Sequence, residues 1–457
     1  MTTQLTELVL DAREEGRDPS LEVFLRIAPE ATRRGIWALS IAVALTPPDL
    51  AALLRDIWAD LADADATVER LRTHPFVVVA GQELRVIEPM VGPIAADFAE
   101  ADAPAFARAH RLLVALEERR ENAADPLESW FTRGRIAFYL AGLDPERSVR
   151  AFGQVFASPP AFDRVSCRIW VTSLVLRQQP LLTSQARELA FYRGFRLHVT
   201  GHRSEAREAF EAVIQDPQED EYRAIALHLL GVILRRRDPE KGVALLEESI
   251  ALSEELGLLD NELLARTSLV WALLSRSGAG GEAAKADLGR AHEQGEANLA
   301  RLPTDFVDLG LIAGVRFAAV VAHWEWLRRV TNDQARLSAV GAQLLGVLRH
   351  NVEIAHETGD FHELVLAGNF AAQINNDLGN FEAAIEEVED VVTTVRTLRS
   401  PPANVRRLAQ TTGTIITRAK DPDLYPRGTG LLAVIDDLQT RSLQPFAALP
   451  AVEDDDA

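Results

Sequence analysis

The stretch ELAFYRGFRLHVTGHRSEAREAFEAVI, residues 188–214, predicts the fold of this chain. Small residues recur in it at fixed spacings, because Gly194 precedes Gly201 by seven positions and Ala206 follows Gly201 by five. We expect two antiparallel helices that touch at Gly194 and Ala206, with a turn at Gly201. Phe210 should fill the space toward the next hairpin. Since such a hairpin cannot bury its apolar face alone, several copies must stack side by side.

Further segments repeat this arrangement of small and bulky residues. A second copy covers residues 226–257, a third 265–291 and a fourth 364–392, and a degenerate copy covers 129–156. The pattern resembles the tetratricopeptide repeat, in which small and aromatic positions recur about every 34 residues. The resemblance covers roughly residues 127–395 and implies a right-handed superhelix of helical hairpins with a concave groove.

The N-terminal part of the chain has a different pattern. Three helical stretches, residues 33–45, 49–61 and 66–74, precede two β-rich runs, 76–79 and 84–87, joined by a glycine-containing turn. Three helices followed by a hairpin is the order of a winged helix. The stretch also resembles the small helical module that follows the nucleotide-binding domain in STAND-type bacterial signalling ATPases. No phosphate-binding loop pattern is present in this sequence, so ATP binding is not carried over.

These patterns predict an all-α fold apart from one small β-hairpin. Prolines at 401 and 402 end the last repeat, and the helical patterns after them should cap the solenoid. The predicted order is a winged-helix-like module at residues 1–110, a tetratricopeptide-like superhelix at 111–400, capping helices at 401–450 and an acidic disordered tail at 451–457.

Composition limits the classes of function. The net charge of −20 disfavours general binding to nucleic acid or anionic membranes. Cys167 is the single cysteine, so one chain has neither an internal disulfide nor a cysteine-based zinc site. The first residues are acidic and amphipathic, unlike a signal peptide, and the apolar stretches are short for a membrane span. We expect a cytoplasmic protein.

No catalytic motif is evident in the sequence. Thr200 and Gly201 should end the helix between His198 and His202, which leaves too few ligands for zinc. Cys167 lies in an apolar helical stretch and is expected to fill a core. We therefore predict no enzyme activity, no cofactor and no metal.

The resemblance also implies which residues line the groove, because the first helix of each tetratricopeptide hairpin faces it. These positions combine aromatic, arginine and carboxamide side chains. They are Phe191, Tyr192, Phe195, His198, His228, Arg235, Arg266, Arg276, Asn369, Gln373 and Asn376. Arginine forks pair with carboxylates and carboxamides hold an extended backbone, so we expect a protein or peptide partner, with an acidic segment against the arginines. For each single residue, packing inside a hairpin is the competing interpretation.

The leading functional hypothesis is a non-catalytic scaffold or regulator. The resemblance implies an adaptor, inhibitor or substrate of an effector, such as a neighbouring protease, in bacterial signalling or antiviral defence. The alternative is a peptide-responsive transcriptional regulator that binds DNA through its N-terminal module. Its recognition helix would be residues 64–73, where Asp65 and Glu69 oppose Arg70 and Arg72. A DNA reader needs several cations there, which disfavours this alternative.

Overall fold

The computed structural model describes residues 21, 24, 27–121, 125–160, 164–278, 281–304, 306, 308–398 and 401–447. The chain is 80% helical, with 20 helices and one small antiparallel sheet among these residues, so the all-α prediction is confirmed. The sequence also predicts short helices at residues 3–15 and 19–28; the first, most of the second and the tail at 451–457 lie outside the described residues. In the part that is described, no helix is both long and apolar enough to cross a membrane.

The chain divides into two compact units, Met1–Tyr222 and Arg223–Ala457. The dividing point falls near the start of a repeat helix, and the domain borders expected from the sequence stay predictions.

Unit 1 contains ten helices and the hairpin among its described residues. In chain order they are α1 (Glu30–Ser40), α2 (Pro47–Ile57), α3 (Ala64–Leu71), β1 (Val77–Ala80), β2 (Glu83–Val86), α4 (Glu88–Ala101), α5 (Ala103–Glu121), α6 (Pro126–Leu140), α7 (Pro145–Ala157), α8 (Arg164–Arg177), α9 (Ala186–Val199) and α10 (Arg203–Gln215).

Local sequence signals explain the first of these elements. Pro47 and Pro48 occupy the first turn of α2 and Thr46 caps it, accepting a hydrogen bond from the backbone N–H of Asp49. The strands β1 and β2 pair antiparallel, with Val77 opposite Val86. Leu45, between α1 and α2, forms an antiparallel bridge with Leu84 of β2. The helices and hairpin expected in this region are therefore present, in the expected order.

Unit 2 contains the remaining helices of the described residues. They are α11 (Glu221–Leu234), whose first two residues belong to unit 1, α12 (Pro239–Leu256), α13 (Leu259–Ser277), α14 (Gly281–Arg301), α15 (Leu309–Val330), α16 (Gln334–Thr358), α17 (Phe361–Leu378), α18 (Phe381–Arg396), a short 3₁₀ turn (Ala403–Val405), α19 (Arg406–Ala419) and α20 (Leu424–Ala447).

Consecutive helices pack as hairpins, and glycines set their close approach. A Cβ on Gly231 of α11 would stand 2.7 Å from Leu246 Cγ, and one on Gly368 of α17 would stand 2.2 Å from Val391 Cγ2. The same role holds in unit 1, where a Cβ on Gly194 would lie 3.0 Å from Ala209 Cβ and from a Phe210 ring carbon. Small residues thus mark the helix contacts, as the repeat pattern predicts.

One detail of the predicted hairpin differs. Phe210 is fully buried and its ring lies 6.1 Å from that of Phe191 in α9. Because Gly194 leaves room directly against it, Phe210 fills the interior of its own hairpin. The turn between these helices is as expected, with Gly201 at a φ of 89°, a left-handed conformation that favours glycine.

The C-terminal helices close unit 2. Leu408 and Ile415 of α19 and Ile435 and Leu438 of α20 are buried in one core with Val388 of α18. These apolar side chains bury a face of α18, and the capping role predicted for the C-terminal helices stays a prediction.

Candidate partner-binding clefts

The aromatic residues predicted for the groove lie in the core of unit 1. Phe191 and Tyr192 are fully buried and Phe195 is 5% exposed. All three rings meet that of Phe156 in α7 edge to face, with centroid distances of 5.1, 5.6 and 4.9 Å. Such contacts stabilise the packing of α9 on α7, and the partner-binding role predicted for these three residues stays a prediction.

His198 lies one turn beyond Phe195 on α9. It is half-buried, and its Nδ1 is buried without a hydrogen-bond partner among the described residues. Burial, and to a smaller extent Arg203, lower the pKa of His198. The helix ends at Val199. His202 stands at the N-cap position of α10 without a side-chain cap hydrogen bond, and its Nδ1 lies 3.0 Å from Thr200 Oγ1. The two histidines thus stand on either side of a turn, as expected.

The predicted arginines of unit 2 are engaged within the fold. Arg266 donates to Glu262 at 3.1 Å and also pairs with Glu254. Arg276 holds Asp287 through two hydrogen bonds, one of them 2.6 Å long. Because carboxylates of the same unit neutralise these guanidinium groups, an acidic ligand would have to compete with them. Arg235 follows the end of α11 and is half-buried.

The polar groove residues of unit 2 are mostly buried. His228 lies 3.2 Å from Asn261 Oδ1 through its Nδ1, and 3.0 Å from Ser268 Oγ through its Nε2. These contacts tie α11 to α13. Their geometry fixes the imidazole within the helix stack rather than toward solvent.

The carboxamides of α17 are also buried or hydrogen-bonded to a neighbouring helix. Thr411 of α19 donates to Asn369 at 2.8 Å and accepts from Gln373 at 3.2 Å. Asn376 is buried. Asn369 and Gln373 therefore join α17 to α19, and the partner-binding role predicted for the three carboxamides stays a prediction.

A preformed apolar cleft lies in unit 1, and we call it the unit 1 cleft. It has two adjoining lobes of about 370 Å³ each, which share Val91, Gly92 and Arg177. One lobe lies among α4, α8 and α9 and includes Phe195, while the other lies among α1, α4, α6 and the segment after α8. Further residues that line the two lobes are Ile41, Ala95, Ala99, Ile169, Leu176, Leu181 and Val199.

The rim of the unit 1 cleft carries a few charges. Arg177 donates to the carbonyl of Ala42 at 3.0 Å and lies 3.7 Å from Glu88, so its position is fixed. Arg196 is exposed at the rim. Gly92 faces open space, because a Cβ built there would have no heavy atom within 4 Å. The floor of the cleft can therefore accept added volume.

A second cleft, of about 600 Å³, lies among α16, α17 and α18, and we call it the unit 2 cleft. Its charged lining includes four carboxylates beside one arginine and one histidine; these residues are Glu353, Glu386, Glu387, Asp390, Arg349 and His356. Arg349 pairs with Glu387 at 3.3 Å. Burial raises the pKa of Glu387, and Arg349 acts against that shift. The net character of this cleft is acidic.

The charges of α3 are balanced at the protein surface. Arg72 pairs with Glu69 at 3.3 Å, and Arg55 of α2 pairs with Asp65 at 3.0 Å. These side chains are about half or more exposed. The helix proposed to read DNA therefore presents alternating charges instead of a basic face.

Sequence reasoning did not identify two features. The lining residues of α4 fall outside the repeats, and only the position of α4 across from α8 and α9 makes them part of a cleft. The second feature is a group of His292, Glu296 and His323 in unit 2. The spacing of four between His292 and Glu296 was the available signal. The third member is 27 positions beyond Glu296, so the sequence alone does not connect it to them.

Comparison with known proteins supports the fold. A crystal structure of a signal-transduction ATPase with numerous domains (STAND) protein with a tetratricopeptide repeat sensor, from Pyrococcus horikoshii, has a TM-score of 0.51 to this chain at 11% identity. The match covers 93% of this chain and 63% of that chain, so this chain spans less than two thirds of the neighbour's length. A circular tandem repeat protein matches with a TM-score of 0.27 at 13% identity, covering 91% of this chain and 98% of that one, too low a score to support an argument. No protein-family model matches the sequence, and no curated protein matches it either.

Proposed function

We propose that this chain is a non-catalytic scaffold or regulator that binds a segment of a partner protein in the unit 1 cleft. The observation that carries the proposal is the preformed apolar cleft itself. Ile169 and Val199 at its edge are 43% and 38% exposed, although burial of such side chains is favourable. A partner that covers them would gain that free energy.

A protein segment fits this surface better than a small molecule does. Val165, one turn before Ile169 on α8, is 58% exposed, so the apolar strip continues beyond the cleft. A small ligand in the cleft would leave that strip uncovered, whereas an apolar helix or extended segment would cover both. Arg196 at the rim supplies a positive charge for a carboxylate of the partner.

The chemistry of the lining supports binding without catalysis. Among the described residues that line the two lobes there is no histidine, cysteine or aspartate, and the carboxylates are those of Glu88 and Glu100. Those groups supply most general bases and nucleophiles. The hydroxyls of Ser40, Thr172 and Ser173 each donate to a backbone carbonyl of their own helix, so none of them points its proton at a carboxylate of the lining.

The experiment that tests this function uses two matched tryptophan variants. Gly92→Trp fills the unit 1 cleft from its open floor, while Gly346→Trp adds the same side chain at an exposed position of α16 that also has open space around it. A photo-cross-linking residue at Ile169 is introduced into each variant and into the wild type, in cells of the native host. We expect one protein to be cross-linked in the wild type and in Gly346→Trp, and to be absent from Gly92→Trp. Equal cross-linking in all three would reject the cleft as the binding surface.

The partner class follows from the fold resemblance and forms the finer part of the proposal. A STAND-like module joined to helical repeats is typical of bacterial signalling and defence, so we infer an effector protein as the partner. The identity of the cross-linked protein tests this directly. Cleavage of this chain on mixing with that protein would make it a substrate, and loss of the partner's activity would make it an inhibitor.

A second candidate function is a DNA-binding regulator. The order of α1, α2 and α3 before the hairpin, with Leu45 bridged to Leu84, favours it. The ion pairs on α3 weigh against it, because phosphate binding needs unneutralised cations. Fluorescence anisotropy with a random duplex at low salt decides between the two, and we expect no salt-dependent binding.

A further inference from the structure

Two histidines and a glutamate converge where α14 packs on α15. His292 and Glu296 lie four residues apart on α14, and therefore on one face of that helix, while His323 lies on α15. Each of the three residues offers one ligand atom, and these atoms all lie within 4.8 Å of one another. The three residues thus form a compact set of nitrogen and oxygen donors.

A close approach of the helix backbones produces this convergence. A Cβ on Gly295 would stand 2.9 Å from the Ala319 Cα, so α14 and α15 nearly touch at this point. His323 follows Ala319 by one helical turn. Gly295 lies between His292 and Glu296 on α14, so both residues stay near the contact. Only a glycine permits this spacing, because any larger residue would push the helices apart.

The surroundings hold His292 in place. Its ring stacks on Trp326 at 4.5 Å with an interplanar angle of 17°, and lies 4.5 Å from the ring of His323. Its Nδ1 is buried and has no hydrogen-bond partner among the described residues. A buried ring nitrogen without a partner costs free energy. A cation that binds the lone pair of this Nδ1 would remove that cost.

We propose that His292, Glu296 and His323 bind a zinc ion. Two imidazoles and one carboxylate form a common set of three protein ligands to zinc, which leaves a fourth position for water or another ligand. Ligand atoms in a tetrahedral zinc site lie about 3.3 Å apart, so movement of roughly 1.5 Å or less closes the site. Glu296 is exposed, and its flexible side chain can supply most of that movement. The site lies in unit 2 and does not depend on the function proposed for the unit 1 cleft.

Calorimetric titration of the full chain with zinc chloride, after removal of metals with a chelator, tests the proposal. We expect one zinc ion per chain. Loss of a ligand in Glu296→Gln or His323→Gln should weaken binding more than about 100-fold, at or beyond the upper end of what second-shell changes cost. His350→Gln is the matched control, because His350 forms an exposed pair with Glu353 on α16. This variant should bind zinc with the affinity of the wild type.

Trp326 provides a second readout at the same place. Paramagnetic cobalt(II) in the site should quench the fluorescence of this tryptophan, one of seven in the chain. The quenching should disappear in Trp326→Phe and in Glu296→Gln. If His323→Gln fails to fold by circular dichroism, the exposed Glu296→Gln variant decides the question.

No zinc binding by the wild type would overturn the proposal. Equal affinity in the wild type and in Glu296→Gln would overturn it as well, as would an equal loss in His350→Gln, which would assign the binding to surface histidines. In each of these cases the three residues serve only to pack α14 on α15.

Discussion

The unit 1 cleft and the unit 2 cleft are both built by packed helices, yet their chemistry is opposite. Val91, Ile169 and Val199 make the first one apolar, whereas Glu386, Glu387 and Asp390 make the second one acidic. Small residues at helix contacts fix the packing in both units. Lining positions such as Ile169 and Glu386 are not among those contact residues, so one repeat architecture can carry two different surfaces.

Burial shifts the pKa of one titratable group in each unit, and the two shifts have opposite directions. In unit 1, burial lowers the pKa of His110 to about 4, and its Nδ1 lies 2.7 Å from the Tyr139 carbonyl oxygen. In unit 2, burial raises the pKa of Glu363 to about 7, with a smaller contribution from Asp360. His110 therefore stays neutral until the pH falls toward 4, and Glu363 stays neutral until the pH rises toward 7.

The largest expected effect concerns Glu363. Its folded pKa of about 7 lies above the ordinary 4.5, so the unfolded chain loses this proton first and stability falls as the pH rises from about 4.5 through 7. The loss should reach on the order of 3 kcal/mol above pH 7. In urea unfolding, the free energy of unfolding of Glu363→Gln should therefore increase relative to that of the wild type between pH 5 and pH 8. A difference that is constant across this range would show that the carboxyl group ionises normally in the folded protein.

His110 should give an effect of similar size and opposite sign. Its folded pKa lies below the ordinary 6.5, so its contribution to stability is complete above about pH 6.5 and is lost as the pH falls toward 4. Titration by NMR of the ring signals should find His110 neutral at pH 5.5. A charged ring at that pH would contradict the burial described for unit 1.

A pair of glycines in the two clefts should respond in opposite directions. Gly368→Ala places a methyl group 2.2 Å from Val391 Cγ2, and the branched valine cannot turn away easily, so we expect a loss of about 1–3 kcal/mol. Gly92→Ala meets open space and should gain up to about 1 kcal/mol from helix propensity. Urea midpoints of the two variants measure both. Equal midpoints would mean that α17 and α18 can separate without cost.

The smallest expected effect is electrostatic. A lysine-rich peptide should bind weakly at the unit 2 cleft, and Glu386→Gln or Asp390→Asn should each reduce binding by less than about 1 kcal/mol, because exposed ion pairs contribute little. Anisotropy titrations at two salt concentrations test this. Gly92→Trp should leave the peptide affinity unchanged, and a change there would assign the peptide to the unit 1 cleft.

The sequence predicted much of the fold and little of the site. Gly194, Gly231 and Gly201 revealed helix contacts and a turn, because close approach and a positive φ exclude most other residues. For the groove residues, the sequence indicates only the helix face on which each one lies. Phe191 and Asn369 share a face with accessible positions, but neighbouring helices cover them, and this coverage depends on residues far away in the chain.

The sequence by itself determined the helical hairpins, the β-hairpin and the capping helices, since their signals are local: spacing, prolines, caps and apolar periodicity. Only the tertiary structure decided which surfaces remain open and which side chains meet. The unit 1 cleft needs α4 against α8 and α9, the arginines Arg266 and Arg276 are neutralised by acids on neighbouring turns and helices, and His323 reaches His292 only through the contact of Gly295 with Ala319. Such meetings depend on the angle and distance between whole helices, which no local spacing encodes.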